Sequence, residues 1–303
     1  MVITGPYRRP AQMLAEQTYS GHKSVHDEES AAKLGLAGAP IEGPTHFSQF
    51  EPLASALWGD RWFTNGCISA HFQNMVIEGE EVQAQITVPG LGANMGQIDA
   101  RKADGTPVLT GTISVGPDHG ETDLARRLAI ATSREVGSLY VIDQVKVGLR
   151  GPEDDSALID FDTHMGNLYP FTLREKLTSI TELVSYQADG AKTPWGAPVV
   201  PFEMISVLMS SFSTKTGIVV RQPSVGLFID LEVRMLNGPV LVGHPYRVGW
   251  EIVALGSSKR TESYWTRFTL FDADPKNIDA PIAEVLLHQG VFTASYPDYP
   301  LET

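Results

Sequence analysis

Residues 19–49, YSGHKSVHDEESAAKLGLAGAPIEGPTHFSQ, decide how this chain is read. They hold a polar loop with His22 and His26 four residues apart, a short helix, a Gly/Pro turn and the start of a longer apolar helix. Asp27-Glu28-Glu29 opens the short helix with acids at its positive end. Glu29 and Lys33 stand at i,i+4, a pair that adds about 0.3 kcal/mol. Gly35 closes this helix, Gly38-Ala39-Pro40 and Gly43-Pro44 prepare the next, and Pro44 suits a first helical position.

Outward from this stretch, Phe47, Phe50, Ala54 and Leu57 recur at helical spacing and predict a buried helix over 44–58, ended by Gly59-Asp60. Pro52 lies inside it and lacks an N–H, so it is expected to kink or divide the helix. Residues 1–18 read as a lead-in with an extended segment that includes Tyr7 and Met13. The period then drops to two. Ile68–Phe72, Val82–Val88, Gly96–Arg101 and Val108–Val115 read as strands, the last two joined by a turn at Ala103–Pro107. Residues 119–137 predict a linker with a helix charged on one face. Leu139–Ile142 is strand-like, and Glu153-Asp154-Asp155 an acidic loop. Leu173, Leu177, Ile180 and Val184 mark an amphipathic helix.

The order then repeats. Gly196-Ala197-Pro198-Val199 echoes Gly38-Ala39-Pro40-Ile41 at an offset of 158 residues. Phe202, Ile205, Met209 and Phe212 predict a second long helix, followed by strands at Leu227–Arg234, Tyr246–Ala254, Glu262–Asp272 and Ile282–Thr293. This is an internal duplication of an α+β unit, a helix followed by antiparallel strands around it. No histidine pair precedes the second Gly-Ala-Pro, so the chemical motif occurs once.

Ser20-Gly21-His22-Lys23-Ser24-Val25-His26 followed by Gly38-Ala39-Pro40-Ile41-Glu42-Gly43 resembles the MaoC-like, R-specific enoyl-CoA hydratases of the hotdog superfamily. Their pattern runs S-G-D-x-N-P-[aliphatic]-H and then G-x-P-I-x-H-G before the long helix. The frame is similar, with His26 one position before the pattern's final histidine. His22 replaces the aspartate, Ser24 the asparagine and Val25 the proline, and Glu42 stands near the second histidine. The resemblance implies a tandem (double) hotdog with two long central helices, each wrapped by an antiparallel β-sheet. The expected boundaries are an N-terminal repeat carrying the histidine motif over 1–118, a linker helix over 119–140, and a C-terminal repeat without the motif over 141–303.

Composition narrows the function classes. An apolar fraction of 42% with 19% charged residues is that of a globular chain. With 23 basic against 36 acidic residues, the net charge is −13, and no basic stripe suggests nucleic acid. A few local cations would still suffice for an anionic ligand such as coenzyme A. The one cysteine, Cys67, excludes an internal disulfide and fits a reducing compartment. The start of the chain has no apolar core of signal-peptide length, and no run of about 18 apolar residues predicts a membrane span. The expectation is a cytoplasmic protein acting on a small molecule, with a homodimer as the candidate assembly.

Hydrating an enoyl thioester needs a base for water, an acid for the α-carbon, and N–H donors for the thioester oxygen as it becomes enolate-like. Carried over from the resemblance, His26 is the acid/base and the Gly43 amide the donor, with an acyl-CoA or acyl-carrier thioester as substrate. The bland alternative for His26 is a loop histidine capping the short helix. His22 reads as a substitute base, a ligand contact or a surface histidine. It cannot supply an aspartate's fixed negative charge. Glu42 and Asp27 are the nearby carboxylates, Glu42 otherwise being a solvated turn residue. Ser24 and His46 are candidate substrate contacts or, alternatively, a loop serine and a buried or capping histidine. A metal bound by His22, His26, His46 and Glu42 is a weak reading of an H-x3-H loop, so no metal is expected. The loop Gly90–Gly96 opens no helix and is not a nucleotide fingerprint, and no other cofactor motif is found. Glu203 and Glu51 read as charged residues on the exposed sides of their helices. Either would serve a rival thioester hydrolase, which predicts thiol release and indifference to loss of His26. Two further readings stay open, a lyase, dehydratase or isomerase for a non-thioester substrate, and a non-catalytic binding protein on the same fold.

Overall fold

A helix laid behind a sheet occurs twice in this chain, and a single strand pairing fuses the two copies. The computed structural model describes residues 1–19, 21–151, 154–180, 182, 184–210, 218–274 and 280–300. The first copy begins with β1 (Val2–Thr4), a small hairpin of β2 (Thr18–Tyr19) and β3 (His22–Lys23), and α1 (Glu28–Lys33). A 3-10 helix at Gly43–Gln49 leads into α2 (Glu51–Trp58) and α3 (Asp60–Asn65). Strands β4 (Gly66–Phe72), β5 (Val82–Thr87), β6 (Met95–Lys102) and β7 (Pro107–Val115) complete this copy. After α4 (Asp123–Thr132) come β8 (Asp154–Ala157), α5 (Leu173–Ser179) and α6 (Phe202–Ser210). The last strands are β9 (Gly226–Met235), β10 (Tyr246–Ser257), β11 (Thr261–Asp272) and β12 (Pro281–Phe292).

Ten strands form one sheet in the order β1-β5-β6-β7-β4-β9-β12-β11-β10-β8. Read outward from the β4–β9 seam, the two halves match: β7 answers β12, β6 answers β11, β5 answers β10 and β1 answers β8. The seam is antiparallel, from Cys67 opposite Arg234 to His71 opposite Asp230. The same isolated bridge also recurs in each copy, Pro40 with Ile77 and Val199 with Leu241. The duplication read from Gly-Ala-Pro is therefore a pseudo-twofold repeat in space.

The predicted 44–58 helix is divided, as Pro52 required. Its first part is the tighter 3-10 segment, and Pro52 falls in the first turn of α2, where its missing N–H costs least. Phe47, Phe50 and Ala54 are fully buried, as are Phe202, Ile205 and Met209 of the second central helix. Burying each large side chain contributes about 2 kcal/mol. Trp62 of α3 stacks on Phe202 at 4.3 Å between ring centroids, locking one repeat onto the other. Gly111 in β7 is required by close approach, since a Cβ there would sit 1.9 Å from the Ser69 carbonyl oxygen of β4. The linker helix α4 packs Leu124 against Ala254, Trp265 and Leu286. Side chains of the sheet pin its start, Ser69 Oγ accepting from the Leu124 amide at 2.9 Å and Thr112 Oγ1 from the Asp123 amide at 3.1 Å. Among the described residues, no helix is long and apolar enough to cross a membrane.

Three expectations need correction. Leu139–Ile142 is not a strand. Its amides go instead to the buried Glu262 carboxylate, which accepts from Tyr140 and Val141 at 2.8 Å and from Ile142 at 3.1 Å. A charged acceptor in a dry site outcompetes a ladder for those donors. Asp154 and Asp155 belong to β8, an edge strand on β10, rather than to an acidic loop. The helix begun at Leu173 stops at Ser179 because Ile180 is extended (φ −68, ψ 147), so Val184 is not part of it. Ser20, Glu153 and Phe212 lie outside the described residues.

Glu262→Ala would leave three amides without their acceptor. Urea unfolding should show a loss of about 3 kcal/mol or more, and a loss below about 1 kcal/mol would show that these amides find other partners.

Candidate active site

A cavity of about 740 Å³ opens where the Gly-Ala-Pro turn of the first repeat meets the sheet of the second. His26, Glu42, Gly43 and His46 line one end. Apolar walls come from both repeats, Phe72 and Val76 from the first and Phe268 and Val291 from the second.

His26, in the loop between β3 and α1, is held at both ends, by Ser24 of that loop and by Pro40 of the Gly-Ala-Pro turn. Ser24 Oγ accepts from the His26 amide at 3.1 Å, and the Pro40 carbonyl accepts from the ring at Nδ1 at 2.7 Å. A carbonyl can only accept, so the proton sits on Nδ1 and Nε2 carries the lone pair. Burial lowers the imidazole pKa, opposed by the Pro40 bond and the charge of Glu42, and Lys176 lowers it further. The ring is neutral near pH 7, with a basic nitrogen available. Gly43 begins the 3-10 helix, so its N–H is among those that a helix start leaves without an intrahelical acceptor. A Cβ at Gly43 would press on the Phe72 ring at 3.2–3.3 Å, so a side chain there would make that ring give way by a few tenths of an ångström.

Glu42, which the sequence left between a pocket carboxylate and a solvated turn residue, is buried. Lys176 Nζ of α5 donates to its Oε2 at 2.9 Å and to Thr45 Oγ1 at 2.8 Å. The same ammonium lies 3.9 Å from Glu203 Oε2. Lys176 was missed in the sequence. Its signal was there, because it stands three residues after Leu173, on the apolar stripe of the predicted helix. His46 is buried on the cavity wall with Nδ1 lacking a partner, and burial lowers its pKa to about 4.

Three expected site residues stand outside the cavity lining: Ser24, whose hydroxyl holds the His26 amide, His22 and Asp27. His22 is not among the cavity-lining residues. Its Nε2 meets Gln222 Oε1 at 2.7 Å, its Nδ1 meets the Lys23 carbonyl at 2.9 Å, and its ring packs edge-on to Tyr19. Asp27 caps α1, its Oδ2 accepting from the Ser30 amide and hydroxyl at 3.0 Å. The exposed positions expected for Glu51 and Glu203 are also wrong, since each is 1% exposed. They face the contact between the two central helices. Glu51 accepts from the Phe202 amide at 2.8 Å and from Gln187 Nε2 at 2.7 Å. Glu203 is closed off beside Thr45, whose hydroxyl acts to lower its pKa. Burial raises both carboxyls to about 8, Lys176 opposing the rise at Glu203. In the second repeat, Pro201 stands at the offset position of Gly43 and has no N–H to offer. Among the described residues, no group of three or more His, Cys, Asp or Glu side chains is arranged to hold a metal ion.

Known structures place the fold. A protein assigned as a MaoC domain dehydratase from Chloroflexus aurantiacus superposes with a TM-score of 0.54 at 16% identity, over 96% of this chain and 94% of its own. Rv0216 of Mycobacterium tuberculosis, which has a double hotdog fold, superposes at 0.56 and 13% identity, over 96% of each chain. No family model and no curated protein matches the sequence. The architecture is the double hotdog expected from the resemblance, along essentially the whole chain.

Glu203 has a consequence for stability. Its folded pKa of about 8 lies above the unfolded carboxylate value of 4.5. Between those values the unfolded chain gives up a proton that the folded chain keeps, so this group's contribution falls as pH rises. Glu203→Gln should therefore gain on wild type from pH 5 to pH 8, by up to about 1 kcal/mol per pH unit. Parallel unfolding curves across that range would contradict the assignment.

Proposed function

We propose that this chain catalyses the reversible hydration of an enoyl thioester, carried by coenzyme A or an acyl carrier, to the 3-hydroxyacyl thioester. The observation that carries the reading is His26, a neutral imidazole whose Nδ1 proton is committed to Pro40 and whose Nε2 is left basic, on a cavity wall shared with Gly43. In hydration, Nε2 takes a proton from water as the water oxygen bonds to carbon 3. The π electrons of the double bond move into the thioester, and the Gly43 N–H donates to the resulting enolate oxygen. Nε2 then returns the proton to carbon 2, so hydroxyl and hydrogen have been added and the imidazole ends as it began. Glu42's charge favours the transient imidazolium. Dehydration is the same path reversed. The apolar walls suit an acyl tail, with the second repeat supplying surface rather than chemistry. Glu51 and Glu203 are absent from the cavity lining, which weighs against hydrolysis through either.

The test follows the enoyl-thioester absorbance of crotonyl-CoA and a longer enoyl-CoA, with a thiol reagent reporting hydrolysis. Wild type should consume the band without releasing thiol. His26→Ala should lose activity about a thousand-fold, and His22→Ala should stay within about tenfold of wild type. Thiol release that survives His26→Ala would establish a hydrolase instead.

A further inference from the structure

The proposed chemistry makes no use of Lys176, and a lysine 1% exposed needs a reason. It belongs to the second repeat, on α5, yet its ammonium ends against the first repeat's Glu42, behind the cavity wall. There it touches Glu42 and Thr45, with Glu203 next nearest. Thr45 and Glu203 are themselves partners at the offset of 158 residues, so Lys176 sits where the starts of the two central helices meet. Phe171 adds a face to the ammonium at 5.3 Å.

Resting on the hydratase reading, we propose that Lys176 is a positioning residue: reaching across from the second repeat, it fixes the Glu42 carboxylate in the cavity wall as the negative charge that serves His26. His22 is not itself in the cavity lining, though its partners Tyr19 and Gln222 are, and it supplies no fixed negative charge. An unpaired carboxylate at a buried position would take up a proton or turn out toward water, and the Lys176 contact opposes both. The neighbouring groups agree. Lys176's pKa is raised, burial being outweighed by its two carboxylates, so it stays charged. Of those two carboxylates only Glu42 lies within hydrogen-bond distance of the ammonium, at 2.9 Å against 3.9 Å for Glu203. The charged groups facing His26 are then one anion, Glu42, and one cation, Lys176. A single repeat folded alone would lack this arrangement.

The experiment compares wild type, Glu42→Gln, Lys176→Met and the double variant in the full chain. Three measurements are made: thermal unfolding, kcat and KM for an enoyl-CoA, and the pH titration of His26 by NMR with histidine Cε1 labelled. Each single variant should lose stability and at least about tenfold in kcat, with KM changed much less. The double variant, with no unpaired buried charge, should recover stability but not kcat. In Glu42→Gln the His26 midpoint should move to lower pH by about half a unit. Recovery of kcat together with stability in the double variant would reduce Lys176 to a structural role and overturn the proposal. So would an unmoved His26 midpoint. Should wild type turn over no thioester, the hydratase reading fails, and the NMR titration still decides whether Glu42 acts on His26.

Discussion

Antiparallel pairing of β4 with β9 is the constraint on which the other features depend. It joins two five-stranded halves into one ten-stranded sheet and brings the two central helices side by side behind it. Once the helices are neighbours, the positions of Glu51 and Glu203 no longer face water. Glu51 and Glu203, which would sit in water on isolated helices, are enclosed. The chain compensates one with the Phe202 amide and Gln187 and places Lys176 beside the other. A buried ammonium at this crossing is also what allows Glu42 to be buried in the cavity wall.

The duplication has diverged in a physically legible way. Both repeats keep the Gly-Ala-Pro turn and the bridge that follows it, since those features set where the central helix begins. Only the first keeps a glycine amide at the helix start. The second has Pro201 there, which supports a helix as well as Gly43-Pro44 does but cannot donate to a ligand. The second copy thus has the shape without the donor. Its sheet instead walls the cavity with Phe268 and Val291.

Much of this was readable in the amino-acid sequence, because local signals carried it. Alternation located β4 to β7 and β9 to β12, Pro52 located the break in the first helix, and the loop frame located His26 and Gly43. What could not be read depended on long-range partners. His22 has the spacing of a catalytic pair, but its contact is Gln222, two hundred residues away. The amides of Leu139–Ile142 looked strand-like until Glu262 claimed them. Lys176 sat on an apolar stripe, an anomaly whose meaning required knowing that Glu42 lay opposite. Polar residues at a helix–helix contact follow the same periodicity as polar residues facing water, and only the packing partner distinguishes them.

The central claim is that one chemical centre, in the first repeat, serves a cavity built by both. Its most direct test is a crystal structure of the protein with a non-reacting 2-enoyl amide analogue of coenzyme A. The account predicts one analogue per chain, its carbonyl oxygen on the Gly43 N–H, carbons 2 and 3 beside His26 Nε2, and its tail against Phe72 and Phe268. An analogue seated with its carbonyl away from Gly43, or with its reactive carbons out of reach of His26, would contradict it.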